Sequence, residues 1–173
     1  LSKYLLSFSF LKGEPEGARL LPELILDLPY REMNVIREDR VSSIKRQYLT
    51  NPSWGKGTIW DGSKKVKARF RLKGDLAQHW LASKRFSMRV RTENDSKTLN
   101  RPSVLGMRSF SLHKLSARQY PYEYIFQEVI QKLGFPSVNH KVVKVKVNGE
   151  YWGLMDMQEH FSSTMLEKNK LKD

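Results

Sequence analysis

Two segments with alternating apolar and basic residues constrain the fold more than any other feature of the chain. Residues 64–73 read KKVKARFRLK and residues 84–91 read KRFSMRVR. A period of two places the apolar side chains on one face of a β-strand and the basic side chains on the other. Like charges that face each other across paired strands cost stability. The two segments therefore predict paired strands whose basic face binds an anion or an acidic element, or is an ordinary solvated sheet face.

The first half of the chain carries further strand and helix signals. Residues 24–28 form a short apolar run that ends at Pro29 and predicts a buried strand. Residues 31–49 have apolar residues at helical spacing and predict an amphipathic helix. Residues 56–60 predict a strand that forms a hairpin with residues 64–73 through Asp61-Gly62.

The second half predicts one strand, one helix and one hairpin. Residues 108–113 alternate as a short strand. Residues 121–133 place apolar side chains at i, i+3, i+4 and i+7, and Gly134 follows as a helix cap. Asn148-Gly149 joins two alternating segments, 141–147 and 151–158, as a hairpin.

These elements predict an α+β fold, an antiparallel sheet with helices packed against it. We expect an irregular lead-in at residues 1–22, one domain at residues 23–160 and a basic tail at residues 161–173. The chain of 173 residues is long enough to bury a core without a disulfide.

Composition narrows the classes of function. The formal net charge of +13 favours an anionic partner such as nucleic acid, a phosphorylated molecule or an acidic polymer. The chain has no cysteine, which excludes a disulfide scaffold and any thiolate metal site. The four histidines have no metal-ligand spacing and are interpreted as surface or loop residues, so no metal site is expected. The sequence contains no stretch of 18 apolar residues, so no membrane-spanning helix is predicted.

The turn after the first basic strand is the strongest candidate site. Arg71 and Lys73 lead into Gly74-Asp75, where backbone N–H groups near a glycine can approach phosphate oxygens closely. Lys84 opens the second basic strand and can reach a phosphate as a point charge. Each of these features, taken alone, also fits an ordinary turn or a surface lysine.

Three motifs in order make the chain resemble the CotH kinase-like family, named for a spore-coat protein. They are RLKGD with KRFSMRV, MRSFSLHKLSARQYPYEYIFQEVIQKLG, and VNGEYWGLMDMQEHF, and the resemblance covers about residues 24–170. It implies the small lobe of an atypical protein kinase that binds ATP and phosphorylates serine. In that picture the Gly74-Asp75 turn covers the phosphates, Lys84 contacts them, and Glu123 is the carboxylate of the regulatory helix. Gln158 and Glu159 would form the adenine-binding hinge, and Arg118 would have a phosphate or structural role.

The resemblance also sets expectations about activity and partners. The family's magnesium ligands and catalytic aspartates lie in a second lobe, so we expect no catalysis by these 173 residues alone. The expected partners are a protein substrate or a coat or envelope protein, at the cell envelope, in the spore coat or outside the cell. The alternatives are a non-catalytic assembly module that binds an anionic polymer, and, less favoured, a nucleic-acid-binding module.

Overall fold

A computed structural model describes residues 21–81, 84–94, 100–118, 120–162 and 165–166. Residues 1–20 of the predicted lead-in and most of the predicted tail lie outside these residues. The described elements, in chain order, are β1 (Glu23–Asp27), α1 (Tyr30–Arg46), β2 (Gly55–Trp60), β3 (Lys65–Leu72), β4 (Met88–Thr92), β5 (Ser109–Lys114), α2 (Tyr122–Lys132), β6 (His140–Val147) and β7 (Glu150–Glu159). Two short 3₁₀ turns, Ala77–His79 and Leu115–Arg118, complete them.

The seven strands close into a barrel in the order β1-β2-β3-β4-β5-β7-β6. Strand β1 pairs antiparallel with β2 and parallel with β6, where Leu24 lies opposite Val145 and Leu26 opposite Val147. The predicted α+β fold, an antiparallel sheet with packed helices resembling a kinase small lobe, is therefore wrong. The reason is the parallel β1–β6 pairing, which removes the sheet edges and which strand periodicity does not reveal.

Alternate residues of every strand fill the barrel interior. The apolar residues that alternate with the basic residues in β3 and β4 point inward. Phe70 and Val90 lie opposite each other in this strand pair, and both are fully buried. Helix α1 confirms the prediction of an amphipathic helix, because Met33 and Ile36 bury its apolar face against the barrel. Among the described residues, neither helix is long and apolar enough to cross a membrane.

Helix α2 matches the predicted bounds but not the predicted packing. None of its residues is buried, and Ile125, Phe126 and Val129 remain about half exposed. The barrel is already closed and offers the helix no open apolar face. Polar contacts between described residues attach it instead, among them a hydrogen bond from Gln158 to Glu123 and one from the backbone N–H of Val138 to Gln127.

The two predicted hairpins are confirmed as β2–β3 and β6–β7. In the first turn Gly62 has a positive φ, and the Asp61 carboxylate accepts hydrogen bonds from Ser63 and Lys64. The predicted strand at residues 84–91 begins at Met88, so its first residues form a loop instead. The Asn148-Gly149 turn takes a positive φ at both residues, as expected for this dipeptide.

The side chain of Asn148 fixes the barrel closure and predicts a stability loss on its removal. Its Oδ1 accepts the backbone N–H of Leu28 at 2.8 Å, and its Nδ2 donates to the Leu28 carbonyl at 2.9 Å. Asn148→Gly keeps the positive φ and deletes both bonds, so we expect a loss of about 2 kcal/mol in the free energy of unfolding. Urea denaturation measures it. Asn148→Asp keeps the acceptor for the Leu28 N–H but sets a carboxylate oxygen against the Leu28 carbonyl, so it should also be less stable than the wild type. Equal stability of all three proteins would contradict this role.

Candidate anion-binding site

The outer face of β3 and β4 carries rows of arginines. Arg71 lies directly opposite Arg89, and Arg69 lies directly opposite Arg91, which confirms the predicted basic face. The guanidinium groups of Arg71 and Arg69 lie over the Trp54 ring, at 4.8 and 5.7 Å from its centroid. These cation–π contacts hold the two arginines on the outer face without neutralising their charge, although Arg69 also pairs with Glu93.

A cavity of about 360 Å³ opens at the end of these strands. Its polar lining includes Arg71, Lys73, Gly74, Asp75 and Arg89, and we call this the basic pocket. Burial lowers the pKa of Arg71, and the nearby charge of Arg89 lowers it further. Three cations therefore meet one carboxylate around a small concave space, an arrangement suited to a multiply charged anion.

The Gly74 turn that borders the pocket is tightly fixed. Gly74 has φ +104°, and a Cβ there would clash with the His79 side chain. The indole Nε1 of Trp80 donates to the Gly74 carbonyl at 2.9 Å. The chain needs glycine at this position both for its backbone conformation and for the close approach of His79.

A line of polar contacts connects the basic pocket to α2. Nζ of Lys73 lies 3.2 Å from Nε2 of His113, which lies 3.1 Å from Oε1 of Gln158. The Gln158 amide then donates to the Glu123 carboxylate at 3.1 Å. Because His113 is fully buried, this line runs through the protein rather than through solvent.

His160 lies in a partly buried environment near several of these cations. The Oγ atoms of Ser109 and Ser111 lie 2.9 and 2.6 Å from its two ring nitrogens. Burial, followed by the charges of Arg89, Lys73, Arg71 and Arg91, lowers the pKa of His160 from 6.5 to about 3. Protonation of the ring is therefore disfavoured first by burial and then by the cations on this side of the barrel.

The structure brings together some of the predicted site residues and separates others. Arg71, Lys73, Gly74 and Asp75 share the basic pocket, and Gln158 and Glu123 connect to it through His113, as described above. Lys84 lies in a different cavity, beside α1 and Trp152.

The two remaining predicted residues lie outside this arrangement. Glu159 is buried and contacts the side chain of Asn139, and its backbone N–H donates to the Asn139 carbonyl. The side chain of Arg118 lies outside the described residues, although its backbone ends the second 3₁₀ turn.

Sequence reasoning missed Arg89 and three histidines of this region. His113 is buried within β5, so its interpretation as a surface or loop residue was wrong. His79 lies in a short 3₁₀ turn but is buried, and His160 is half-buried just after the end of β7. Arg89 follows from the alternation once the β3–β4 register is known. His113 shares the outward positions of β5 with Ser109 and Ser111, and that period of two was the available signal.

A magnesium site does not fit the described residues. No group of three or more His, Asp or Glu side chains gathers among them. Asp75 is a single carboxylate beside three cations, which is a poor environment for a divalent cation.

Comparison with known families places the chain. The family model described as CotH kinase protein matches residues 70–173, more than half of the chain. The chain belongs to the CotH kinase protein family. The matched residues begin within β3 and include Lys73, Gly74, Arg89 and His160.

Membership of the CotH family indicates a kinase-like function. The matched region contains the three cations, Gly74 and Asp75 of the basic pocket and the polar line to α2, whereas Leu49, Asn51 and Pro52 of the pocket lining precede it. No curated protein matches the chain.

Gly74→Ala tests the fixed turn, with Gly62→Ala as the matched control. Both glycines have φ near +100°, but a Cβ at Gly62 meets nothing within 4 Å, whereas one at Gly74 meets His79. We expect Gly62→Ala to cost about 1 kcal/mol of backbone strain, and Gly74→Ala about 2 kcal/mol more from the clash. Urea denaturation of both variants measures the difference, and equal losses would show that His79 does not restrict the turn.

His160 predicts a specific pH dependence of stability. The unfolded chain binds a proton at His160 near pH 6.5 and the folded chain near pH 3. The free energy of unfolding should therefore be independent of this group above pH 6.5 and fall as the pH drops from 6.5 towards 3.

His160→Gln keeps hydrogen-bonding groups beside the serines and removes the titration. Its urea denaturation between neutral pH and about pH 4 should show a weaker pH dependence than that of the wild type. All other titrating groups are shared and cancel in the comparison. Parallel pH profiles of the two proteins would contradict the lowered pKa.

Proposed function

We propose that this CotH-family chain binds the phosphates of ATP in the basic pocket and so supplies the nucleotide-phosphate-binding part of a protein kinase. The observation that carries the proposal is the convergence of Arg71, Lys73 and Arg89 on one small cavity bordered by a glycine turn. Burial, followed by the charges of these residues and of Arg91, lowers the pKa of His160 to about 3. Phosphoryl groups are the biological anions that such clusters of arginine and lysine recognise best.

The residues present fit the triphosphate of ATP. Arg71 and Arg89 would hold phosphate oxygens through paired N–H donors, and Lys73 would add a point charge. The rigid Gly74 turn would keep these groups in place before the nucleotide arrives, because His79 and Trp80 already pack against it. When bound, ATP would supply the phosphoryl group that a kinase transfers.

The backbone pairing of β7 argues against the expected hinge role of Gln158 and Glu159. Gln158 lies opposite Ser111 on one side and His140 on the other, and the backbone N–H of Glu159 donates to Asn139. That N–H group is therefore already engaged and is not open to a nucleobase. We accordingly propose phosphate recognition alone for the described residues.

Phosphoryl transfer needs groups that the described residues do not gather. It requires a bound divalent cation and a carboxylate that orients the acceptor hydroxyl. Since the magnesium site does not fit, we assign no catalytic step to the described residues and expect nucleotide binding without phosphoryl transfer by this chain alone.

The acceptor and the location are also part of this proposal. A protein serine as acceptor, and a place at the cell envelope, in the spore coat or outside the cell, rest on the resemblance to the spore-coat protein. Fractionation of cells that express the tagged protein tests the location. Recovery in the cytosolic fraction would contradict it.

Lys73→Ala tests phosphate binding against Lys84→Ala. Both variants remove one lysine charge, but Lys73 lines the basic pocket and Lys84 lies beside α1 in another cavity. We expect Lys73→Ala to weaken ATP binding at least about tenfold, because a charge-assisted contact to phosphate is lost. Lys84→Ala should change the affinity less than about twofold.

Isothermal titration calorimetry with ATP, with and without magnesium, measures both affinities. Thermal unfolding of each variant shows whether the fold is intact. The absence of ATP binding by the folded wild-type chain would overturn the proposed function. An equal loss in the two lysine variants would instead contradict the assignment to the basic pocket.

A further inference from the structure

A second group of arginines continues the basic face beyond the pocket. Arg69 and Arg91 form the next row of the β3–β4 pair, and Arg101 and Arg108 flank that row from the segment before β5. We call these four residues the arginine surface. None of them lines the basic pocket.

The backbone prearranges part of the arginine surface. Arg101 donates from Nε to the Thr92 carbonyl at 2.8 Å and from Nη2 to the Arg108 carbonyl at 3.0 Å. Burial lowers the pKa of Arg101, and the charges of Arg91, Arg108 and Arg69 lower it further. The four cations are therefore close enough to repel one another, and folding holds them together at a cost in stability.

Little negative charge offsets this cluster within the part of the chain that the structure describes. Glu93 Oε1 lies 3.5 Å from Nε of Arg69, in a pair whose side chains are partly exposed. Among the described residues, this one carboxylate pairs with a member of the arginine surface, and Arg91 and Arg108 are exposed to solvent. Such a surface gains free energy when an acidic partner covers it.

The geometry favours an extended polypeptide over a nucleic acid. Arg69 and Arg71 are two residues apart on one strand, so their rows repeat about every 7 Å, which is also the spacing of alternate side chains in an extended peptide. A single-stranded nucleic acid needs exposed aromatic rings on which bases stack. The aromatic ring beside these rows, Trp54, is already covered by the guanidinium groups of Arg69 and Arg71.

We infer that the arginine surface is a docking site for an acidic polypeptide segment in extended conformation. Carboxylate side chains at alternate positions of that segment would each meet one row of arginines. The docking itself is independent of the proposed function.

The test uses a fluorescein-labelled peptide of about twelve residues in which glutamate alternates with serine. Fluorescence anisotropy measures its binding to the chain, to Arg91→Gln/Arg108→Gln and to the matched control Arg31→Gln/Arg37→Gln. The control removes the same charge from exposed positions of α1. We expect the first double variant to bind about tenfold more weakly, since two exposed ion pairs of about threefold each combine. The control should bind within about twofold of the wild type.

Two further ligands distinguish an acidic peptide from a nucleic acid and from unspecific charge attraction. A peptide with glutamine in place of glutamate should not bind, and a single-stranded oligonucleotide of equal charge should bind more weakly than the acidic peptide. Stronger oligonucleotide binding that responds to Arg91→Gln/Arg108→Gln would overturn the inference in favour of a nucleic acid. Equal losses in both double variants would overturn it in favour of unspecific charge attraction.

Two measurements keep the result interpretable. If the double variant fails to fold, Arg108→Gln alone replaces it, and a loss of about threefold is then expected while unchanged binding overturns the inference. ATP binding measured on the same proteins should change less than about threefold. If the wild-type chain does not bind ATP, only the proposed nucleotide function is overturned, because peptide docking does not require ATP.

Discussion

The insertion of β1 between β2 and β6 is the constraint on which the rest of the structure depends. Its parallel pairing with β6 converts six antiparallel-connected strands into a closed barrel without sheet edges. Closure leaves one inner face for the apolar side chains and one outer face for everything else. The arginines of β3 and β4 therefore point outward, where their positive charges lie close together.

The electrostatics of the site follow from this geometry. Side chains that alternate along β3 and β4 face one another across the pair, so each arginine has another arginine as its nearest cross-strand neighbour. A protein without an anionic ligand would gain stability by replacing some of these residues. After burial, the charges of these arginines also help to lower the pKa of His160. The retained repulsion is the cost of a surface organised to bind anions.

Local features of the structure could be predicted from the sequence, whereas long-range ones could not. The alternation in residues 64–73 predicted β3 and its basic face, and Asn148-Gly149 predicted the last hairpin, because period and turn chemistry act between near neighbours. The barrel closure joins residues more than a hundred positions apart, and no local pattern encodes it. For the same reason, Arg71 and Lys73 were recognised as candidates while His113 and His160 were not. Their importance depends on which strands lie side by side.

The hydrogen bonds between Asn148 and Leu28 also bear on how the chain reaches its native state. They span 120 residues, and the β1–β6 ladder beside them spans nearly the same separation. During synthesis β1 leaves the ribosome well before β6, the strand with which it pairs in parallel. This pairing can form only after almost the whole described chain has emerged. Through that interval its apolar residues and one strand edge stay unpartnered, so folding of this barrel has a high contact order and a slow, aggregation-sensitive final step.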